Sequence, residues 1–213
     1  MDWVWASRAE LAALTLTHAW LSAVPVIVGL AIAVPAGWWA SRHRRVGSIV
    51  LGLGSVVYTI PSLALFVILP SVLGTPLLSP VNVVVALSLY AVALLVRTAV
   101  DAFGAVPAVV LDAATATGYS PAGRGWRVEL PLAGPVLLAG ARVASFSTVS
   151  LVSVGALMGV SSLGSLFTDG FRRNFTTEIV AGVVGTVLLA VVFDAILVLL
   201  GRLLMPWTAE ERA

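Results

Sequence analysis

The 213-residue chain contains no cysteine and no lysine, and only 10% of its residues are charged. The lack of cysteine excludes disulfides, thiol catalysis and cysteine-ligated metal sites. A soluble domain needs about a quarter of its residues charged, so a surface covered by water is excluded as well. With 60% hydrophobic residues and a mean hydropathy of +1.06, the chain is predicted to be an integral membrane protein in a lipid bilayer.

The net charge of +2 comes from 12 arginines against 10 acidic residues. Because the arginines are scattered near the ends of apolar segments, the basic excess does not indicate a nucleic-acid partner. The first residues, MDWVWASRAE, lack the basic region and short apolar run of a secretory leader. No cleavable signal peptide is therefore expected.

Long apolar runs predict an all-α, polytopic membrane protein with a single transmembrane domain over residues 1–213. A bilayer core of about 30 Å needs about 20 apolar residues per helix. By that measure the chain has about five transmembrane helices, at about 17–40, 46–70, 80–96, 132–157 and 179–205. The Gly/Ser-rich end of the fourth predicts a broken or re-entrant piece, which needs protein or a water-filled cavity to cover it.

Arginine in the short loops predicts the orientation of the chain. Eight arginines fall on the side of the SRHRR loop at 41–45 and three on the other, leaving out one within a span. Cytoplasmic loops carry the excess of arginine. We therefore expect a multi-pass protein of the cell membrane with its N-terminus outside, its C-terminus in the cytoplasm, and residues 108–131 in the cytoplasm.

The segment DAATATGYSPAGRGWRVELP, residues 112–131, interrupts the apolar chain with charge, glycine and proline. It predicts two short helices. Asp112 is expected in the first turn of one helix, where the dipole favours an acid, and Gly118 at its end. Ser120 is expected to cap the second helix, and Pro131 to end it. Alone, this pattern also fits an ordinary capped connection.

The spacing of this segment resembles the cytoplasmic EAA loop of ABC-importer permeases, which reads Glu-Ala-Ala, three residues, Gly, nine residues, Ile, one residue, Leu-Pro. The matching positions here are Asp112, Ala113, Ala114, Gly118, Val128, Leu130 and Pro131. Asp stands for Glu and Val for Ile. The stretches HAWLS, IPSLAL, AGAR and LGSLFTDGFRRNFTTEIVAG are similar to permeases of osmoprotectant importers, which carry glycine betaine, choline, carnitine and related quaternary amines.

The resemblance implies a type I importer permease with a five-helix core that forms the translocation path. Its implied partners are a second permease subunit, either a copy of this chain or a paralogue, two ATPase subunits docked on the EAA loops, and an extracytoplasmic binding protein. ATP and magnesium would be held by the ATPase, and no cofactor by this chain. Other readings are an ABC permease for another small solute, such as methionine or a polar amino acid, a membrane-embedded enzyme, and a channel or secondary transporter.

A membrane enzyme would need acids or histidines clustered at one depth, and a channel would have no use for an EAA-like loop. The sequence contains no phosphate-binding P-loop and no metal-ligand cluster. We therefore predict no catalytic or metal-ligating residue.

Four residues are candidates for the translocation path. Arg142 and Asp194 are charges within spans, each about 15 Å from the cytoplasmic end of its helix, so an ion pair is hypothesised. Separate contacts with backbone carbonyls or another subunit are the alternatives. Pro61 is expected to bend the second span, and the ring of Tyr58 is suited to a quaternary amine. Packing of Tyr58 against a neighbouring helix is the simpler interpretation.

Overall fold

The structure, a computed structural model, describes residues 2–207, and the regular structure within that range is helical throughout. The predicted cytoplasmic tail beyond residue 207, including Arg212, lies outside the described residues. The helices are α1 (Asp2–Ala6), α2 (Arg8–Ala40), α3 (Arg44–Thr59), α4 (Ser62–Leu73), α5 (Pro80–Gly104), α6 (Ala108–Ala116), α7 (Pro121–Arg124), α8 (Leu130–Gly155), α9 (Ser165–Arg172) and α10 (Thr176–Leu204).

Among residues 2–207, four helical stretches are long and apolar enough to cross a membrane: α2, α5, α10 and the run from α7 through α8. The pair α3 and α4 passes the same length and composition test together, but the two helices meet at an angle of 102°. The second predicted span is therefore a sharply bent pair of helices rather than one straight helix.

The bend between α3 and α4 lies at Ile60 and Pro61, as predicted for Pro61. A proline pushes the preceding residue out of the helical region, and Ile60 accordingly has an extended backbone with ψ of 128°. The Tyr90 hydroxyl of α5 donates a hydrogen bond to the Ile60 carbonyl. That bond satisfies an acceptor that the broken helix leaves without a helical partner.

Helix α5 is the centre of the bundle and packs against α2, α3, α4 and α8. Its closest approach is to α2, where a Cβ added at Gly37 would lie 2.3 Å from the Cβ of Ala99. Gly29 makes the same kind of approach to Ala91 two turns away. Small residues facing each other in this way let membrane helices approach to backbone distance.

The end of α5 extends beyond the predicted boundary at residue 96 and reaches Gly104. Arg97 and Asp101 therefore lie on the last turns of the helix rather than in a loop. Helix α10 packs along α8 and α9. Even so, only 6% of the residues in its most hydrophobic 18-residue stretch are buried inside the described chain. Most of its surface faces lipid or another protein.

Candidate functional site

The segment between α5 and α8 forms a short helical hairpin whose turn is fixed by backbone hydrogen bonds. Helix α6 ends at Ala116, and Gly118 has a φ of +87°, a left-handed conformation that glycine adopts without strain. The Gly118 N–H donates to the Thr115 carbonyl at 3.0 Å, and the Tyr119 N–H donates to the Ala114 carbonyl at 3.1 Å. These bonds define a Schellman motif, so the prediction that Gly118 lies at the end of this helix is confirmed.

Ser120 caps the second helix of the hairpin, as predicted. Its hydroxyl accepts a hydrogen bond from the Gly123 N–H at 3.2 Å, and Pro121 occupies the first helical position. Because it carries the EAA-like segment predicted to contact an ATPase, the hairpin formed by α6 and α7, residues 108–124, is called the coupling hairpin. Its geometry is fixed locally, by a glycine turn and a serine cap.

Two local predictions for this region are wrong. Helix α6 begins at Ala108, after Pro107 at its N-cap, so Asp112 lies beyond the first turn and gains little from the helix dipole. Pro131 does not end the second helix. The chain continues from α7 through a π-helical turn, Gly125–Glu129, into α8. The wider turn accommodates a proline that cannot donate a backbone hydrogen bond.

The EAA-like residues differ in accessibility. Asp112 and Ala113 are exposed, whereas Ala114 is buried. Leu130 and Pro131 are half-buried at the start of α8. The acid and the first alanine are thus available to a partner, and the second alanine faces the rest of the chain.

A buried carboxylate that the sequence analysis missed anchors the coupling hairpin. The Glu129 side chain is 3% exposed and accepts hydrogen bonds from Arg42, in the connection between α2 and α3, and from Arg124 Nε at 2.9 Å. Arg124 also donates through Nη1 to the Thr115 hydroxyl at 2.8 Å. We name Arg42, Arg124 and Glu129 the anchor cluster.

Arg42 is held on two sides. Its guanidinium carbon lies 3.7 Å from the ring centroid of Trp38, at the end of α2, in the arrangement of a cation–π contact. Burial lowers the pKa of Arg42, and the charge of Arg124 lowers it further, while the Glu129 carboxylate opposes both. Arginine side chains are not deprotonated in proteins, so Arg42 remains a cation.

The available signal for the anchor cluster was Glu129 itself, an acid between Val128 and Leu130 at the start of an apolar run. An acid in such a place is buried only with a partner. The cluster also shows that the arginine-rich connection between α2 and α3 lies at the same end of the bundle as the coupling hairpin.

The hypothesised pair between Arg142 and Asp194 is present. Arg142 donates through Nε to Oδ1 at 2.5 Å and through Nη2 to Oδ2 at 2.8 Å, joining α8 to α10. The two side chains are 42% and 23% exposed. In a membrane such charges face a cavity or a protein partner rather than lipid, and the described chain leaves both side chains partly uncovered.

Tyr58 and Pro61 lie together at the bend between α3 and α4. Tyr58 is half exposed, and its ring packs edge-on against that of Tyr90, with centroids 6.0 Å apart. The Tyr58 ring therefore packs against α5, as the simpler interpretation predicts, and half of the residue stays accessible. The four candidate path residues thus form two separate sites. Arg142 and Asp194 join α8 to α10, whereas Tyr58 and Pro61 lie where α3 meets α4.

A bundle of apolar helices with a charged pair at mid-depth and an exposed, capped hairpin at one end has the architecture of a membrane transport subunit. The chain belongs to the family of inner membrane components of binding-protein-dependent transport systems, whose family model matches residues 16–210. It is a multi-pass membrane protein.

Curated relatives are similar along nearly the full length. The osmoprotectant import permease protein OsmW of Salmonella typhimurium is 33% identical over 199 residues, which cover 92% of each chain. The choline transport system permease protein OpuBB of Bacillus subtilis is 30% identical over 197 residues, covering 92% of this chain and 89% of the relative. These relatives confirm the resemblance to osmoprotectant permeases noted in the sequence.

Solved structures share the fold. The MetNI methionine ABC transporter, in an inward-facing conformation, has a chain that superposes with a TM-score of 0.73 at 21% identity, covering 90% of this chain and 96% of that one. An amino acid ABC transporter with histidines gives a TM-score of 0.69 at 15% identity, covering 92% and 97%. The all-α permease fold predicted from the sequence is thus confirmed.

Proposed function

We propose that this chain is the permease subunit of an ATP-driven importer and forms the path for quaternary-amine osmoprotectants such as glycine betaine, choline or carnitine. The observation that carries the proposal is the coupling hairpin, which has the EAA spacing and a fixed, exposed turn at one end of the bundle. The names of its relatives support the class of cargo.

The proposed assembly contains two permease subunits, two cytoplasmic ATPases and one extracytoplasmic binding protein. The ATPases dock on the coupling hairpins and hold ATP and magnesium, so this chain catalyses no reaction itself. The arginine-rich end of the bundle, which carries the coupling hairpin, lies in the cytoplasm. The N-terminus is then outside and the C-terminus inside.

The mechanism follows from how the coupling hairpin is connected. It joins the end of α5, the central helix, to the start of α8, which carries Arg142. When ATP draws the two ATPases together, the hairpins move with them and tilt α5 and α8. The path then opens to one side of the membrane at a time. A hairpin whose turn and helix cap are both fixed transmits this motion better than a flexible loop would.

The proposed path includes the ion pair of Arg142 with Asp194 and the bend at Tyr58 and Pro61. The ion pair presents polar surface at membrane depth that the described chain leaves uncovered. Tyr58 offers an accessible aromatic surface to a cation. Recognition of the cargo belongs mainly to the binding protein, so the path needs only weak contacts.

The test is uptake of labelled choline and glycine betaine by proteoliposomes that contain the chain, its ATPase and its binding protein. Uptake that requires ATP supports the proposal. Methionine uptake in place of choline would assign another cargo, and uptake without the ATPase would exclude an ABC importer.

The first variant to test is Gly118→Val. A β-branched residue is strained at φ of +87°, so we expect the turn to distort and uptake to fall by about tenfold or more. Gly52→Val is the matched control, because Gly52 lies in α3 with no atom within 4 Å of an added Cβ. Wild-type uptake by Gly118→Val would contradict the coupling role of the hairpin.

A further inference from the structure

The coupling hairpin makes little apolar contact with the bundle. Ala114 is the one buried residue of α6, and α7 has none. An apolar cavity of about 590 Å³ lies between α2 and the segment formed by α7 and the π-helical turn, with Ala122 and Trp126 on one side and Leu30 and Val34 on the other. Packing alone therefore holds the hairpin loosely.

Polar contacts instead converge on one carboxylate. Glu129 binds Arg124 of the hairpin, and Arg124 binds Thr115, so both hairpin helices are tied to Glu129. On its other side, Glu129 binds Arg42, which lies on Trp38 at the end of α2. Glu129 is itself the last residue of the π-helical turn that leads into α8. Three parts of the chain thus meet at a single buried side chain.

We propose that Glu129 is a positioning residue for coupling: it transmits displacement of the coupling hairpin to α2 and α8 at the same time. This inference rests on the proposed function and deepens it by naming the route of the motion. Without the carboxylate, the hairpin keeps its own turns but moves independently of α2. ATP hydrolysis then continues while transport lags behind it.

The chemistry of the anchor cluster favours a positioning role over a purely stabilising one. An ion pair buried away from water is seldom more stable than a well-packed apolar contact of the same volume. Here the buried Arg42 Nη1 and Trp38 Nε1 have no hydrogen-bond partner among the described residues. The anchor cluster leaves these donors unsatisfied, but it fixes the direction and the distance between the coupling hairpin and α2. A coupling element requires both.

The backbone beside the anchor cluster also packs closely against Trp38. A Cβ added at Gly125 would lie 2.7 Å from Trp38 Nε1. The π-helical turn therefore approaches the indole as closely as a glycine permits, which sets where Glu129 meets Arg42. The position of the carboxylate is defined by backbone as well as by charge.

The test compares Glu129→Gln, Arg42→Gln and the double variant in the reconstituted complex with its ATPase and binding protein. Glutamine keeps the shape of Glu129 but not its charge. Two rates are measured on the same vesicles: choline uptake and ATP hydrolysis stimulated by the loaded binding protein. Asp101→Asn is the matched control, since Asp101 is an exposed acid at the end of α5 with no ion-pair partner among the described residues.

For Glu129→Gln we expect choline moved per ATP to fall about tenfold, within the range that a displacement of about 1 Å can cause. ATPase co-purification and hydrolysis should change by less than about twofold. Because Arg42 and Glu129 act as a unit, the double variant should be no worse than Glu129→Gln. Glu129→Asp, which keeps the charge, should recover part of the ratio.

A wild-type ratio in Glu129→Gln would overturn the inference. So would a loss of hydrolysis in strict proportion to uptake, because that result indicates misassembly rather than lost coupling. Failure of the proposed function has a different signature: the wild-type complex itself would show no ATP-dependent uptake, and the inference would fall with it.

Discussion

Two of the arginine–carboxylate clusters in this chain use the same groups but differ in how far the carboxylate is enclosed. In the anchor cluster, Glu129 is almost fully enclosed by residues of its own chain, and the cluster joins segments at one end of the bundle. The pair of Arg142 and Asp194 joins two long helices near mid-depth, and both side chains remain partly exposed. The anchor cluster encloses its carboxylate within the subunit, whereas the Arg142–Asp194 pair leaves its carboxylate accessible, and we call it the open pair.

The difference indicates that the two clusters have different roles although they contain the same chemical groups. A carboxylate that its own chain encloses can hold the subunit's parts in register before any partner binds. An accessible ion pair in a membrane is tolerable only beside water or protein, so its surroundings are supplied by the assembled transporter. We expect the first cluster to control the stability and coupling of the subunit, and the second to matter once the path is formed.

The largest stability effect should come from Glu129→Ala. Arg42 and Arg124 would both lose their acceptor, and their side chains are 24% and 22% exposed. Because water can offset part of the loss, we expect a cost of about 2 kcal/mol, less than for a fully buried pair. Equilibrium unfolding of the purified subunit in mixed micelles measures this loss. The control Asp101→Asn should stay within about 0.5 kcal/mol of the wild type. Equal stability of Glu129→Ala and the control would remove the distinction between the two clusters.

We expect the two charges of the Arg142–Asp194 pair to depend on each other for stability. We expect Arg142→Ala and Asp194→Ala each to lower the thermal inactivation temperature of the assembled complex, since each leaves one charge alone at membrane depth. The variant with both changes should be more stable than either single variant, because no lone charge remains. Additive losses in this cycle would show that the two groups do not depend on each other.

The sequence predicts the structure correctly where a few neighbouring residues or the bilayer itself decide it. Gly118 and Ser120 were predictable because a turn and a cap are decided by a few neighbouring residues. Arg142 and Asp194 were predictable as a pair because charges are rare within apolar spans, and counting residues places the two at similar depth. Pro61 predicts the bend because its ring restricts the backbone of the residue before it.

The anchor cluster was not predictable in the same way. Arg42 and Glu129 are 87 residues apart in the chain, and each lies beside other charges at the end of a span, where solvated side chains are ordinary. The π-helical turn that carries Glu129 also lies against Trp38, at Gly125. That contact is tertiary, so no periodicity in the segment reveals it.

A labelling experiment can decide what completes the open pair. The chain has no native cysteine, so single-cysteine variants report without background. Ala139 lies one turn before Arg142 and is exposed, whereas Ser145 is buried between helices. In the assembled complex we expect a water-soluble thiol reagent to label Ala139→Cys and to leave Ser145→Cys unmodified. Protection of Ala139→Cys as well would show that this face of α8 meets lipid or another subunit rather than the water of the path.

The smallest effect is expected at Tyr58, which contributes an aromatic surface rather than charge. A cation–π contact at an accessible site is worth about 0.5–1 kcal/mol, so Tyr58→Ala should raise the choline concentration for half-maximal uptake about threefold. Tyr58→Phe keeps the ring and should resemble the wild type. Transport kinetics at saturating binding protein measure both variants. If Tyr58→Phe were as impaired as Tyr58→Ala, the hydroxyl rather than the ring would carry the contact, and the aromatic role assigned to the bend would be wrong.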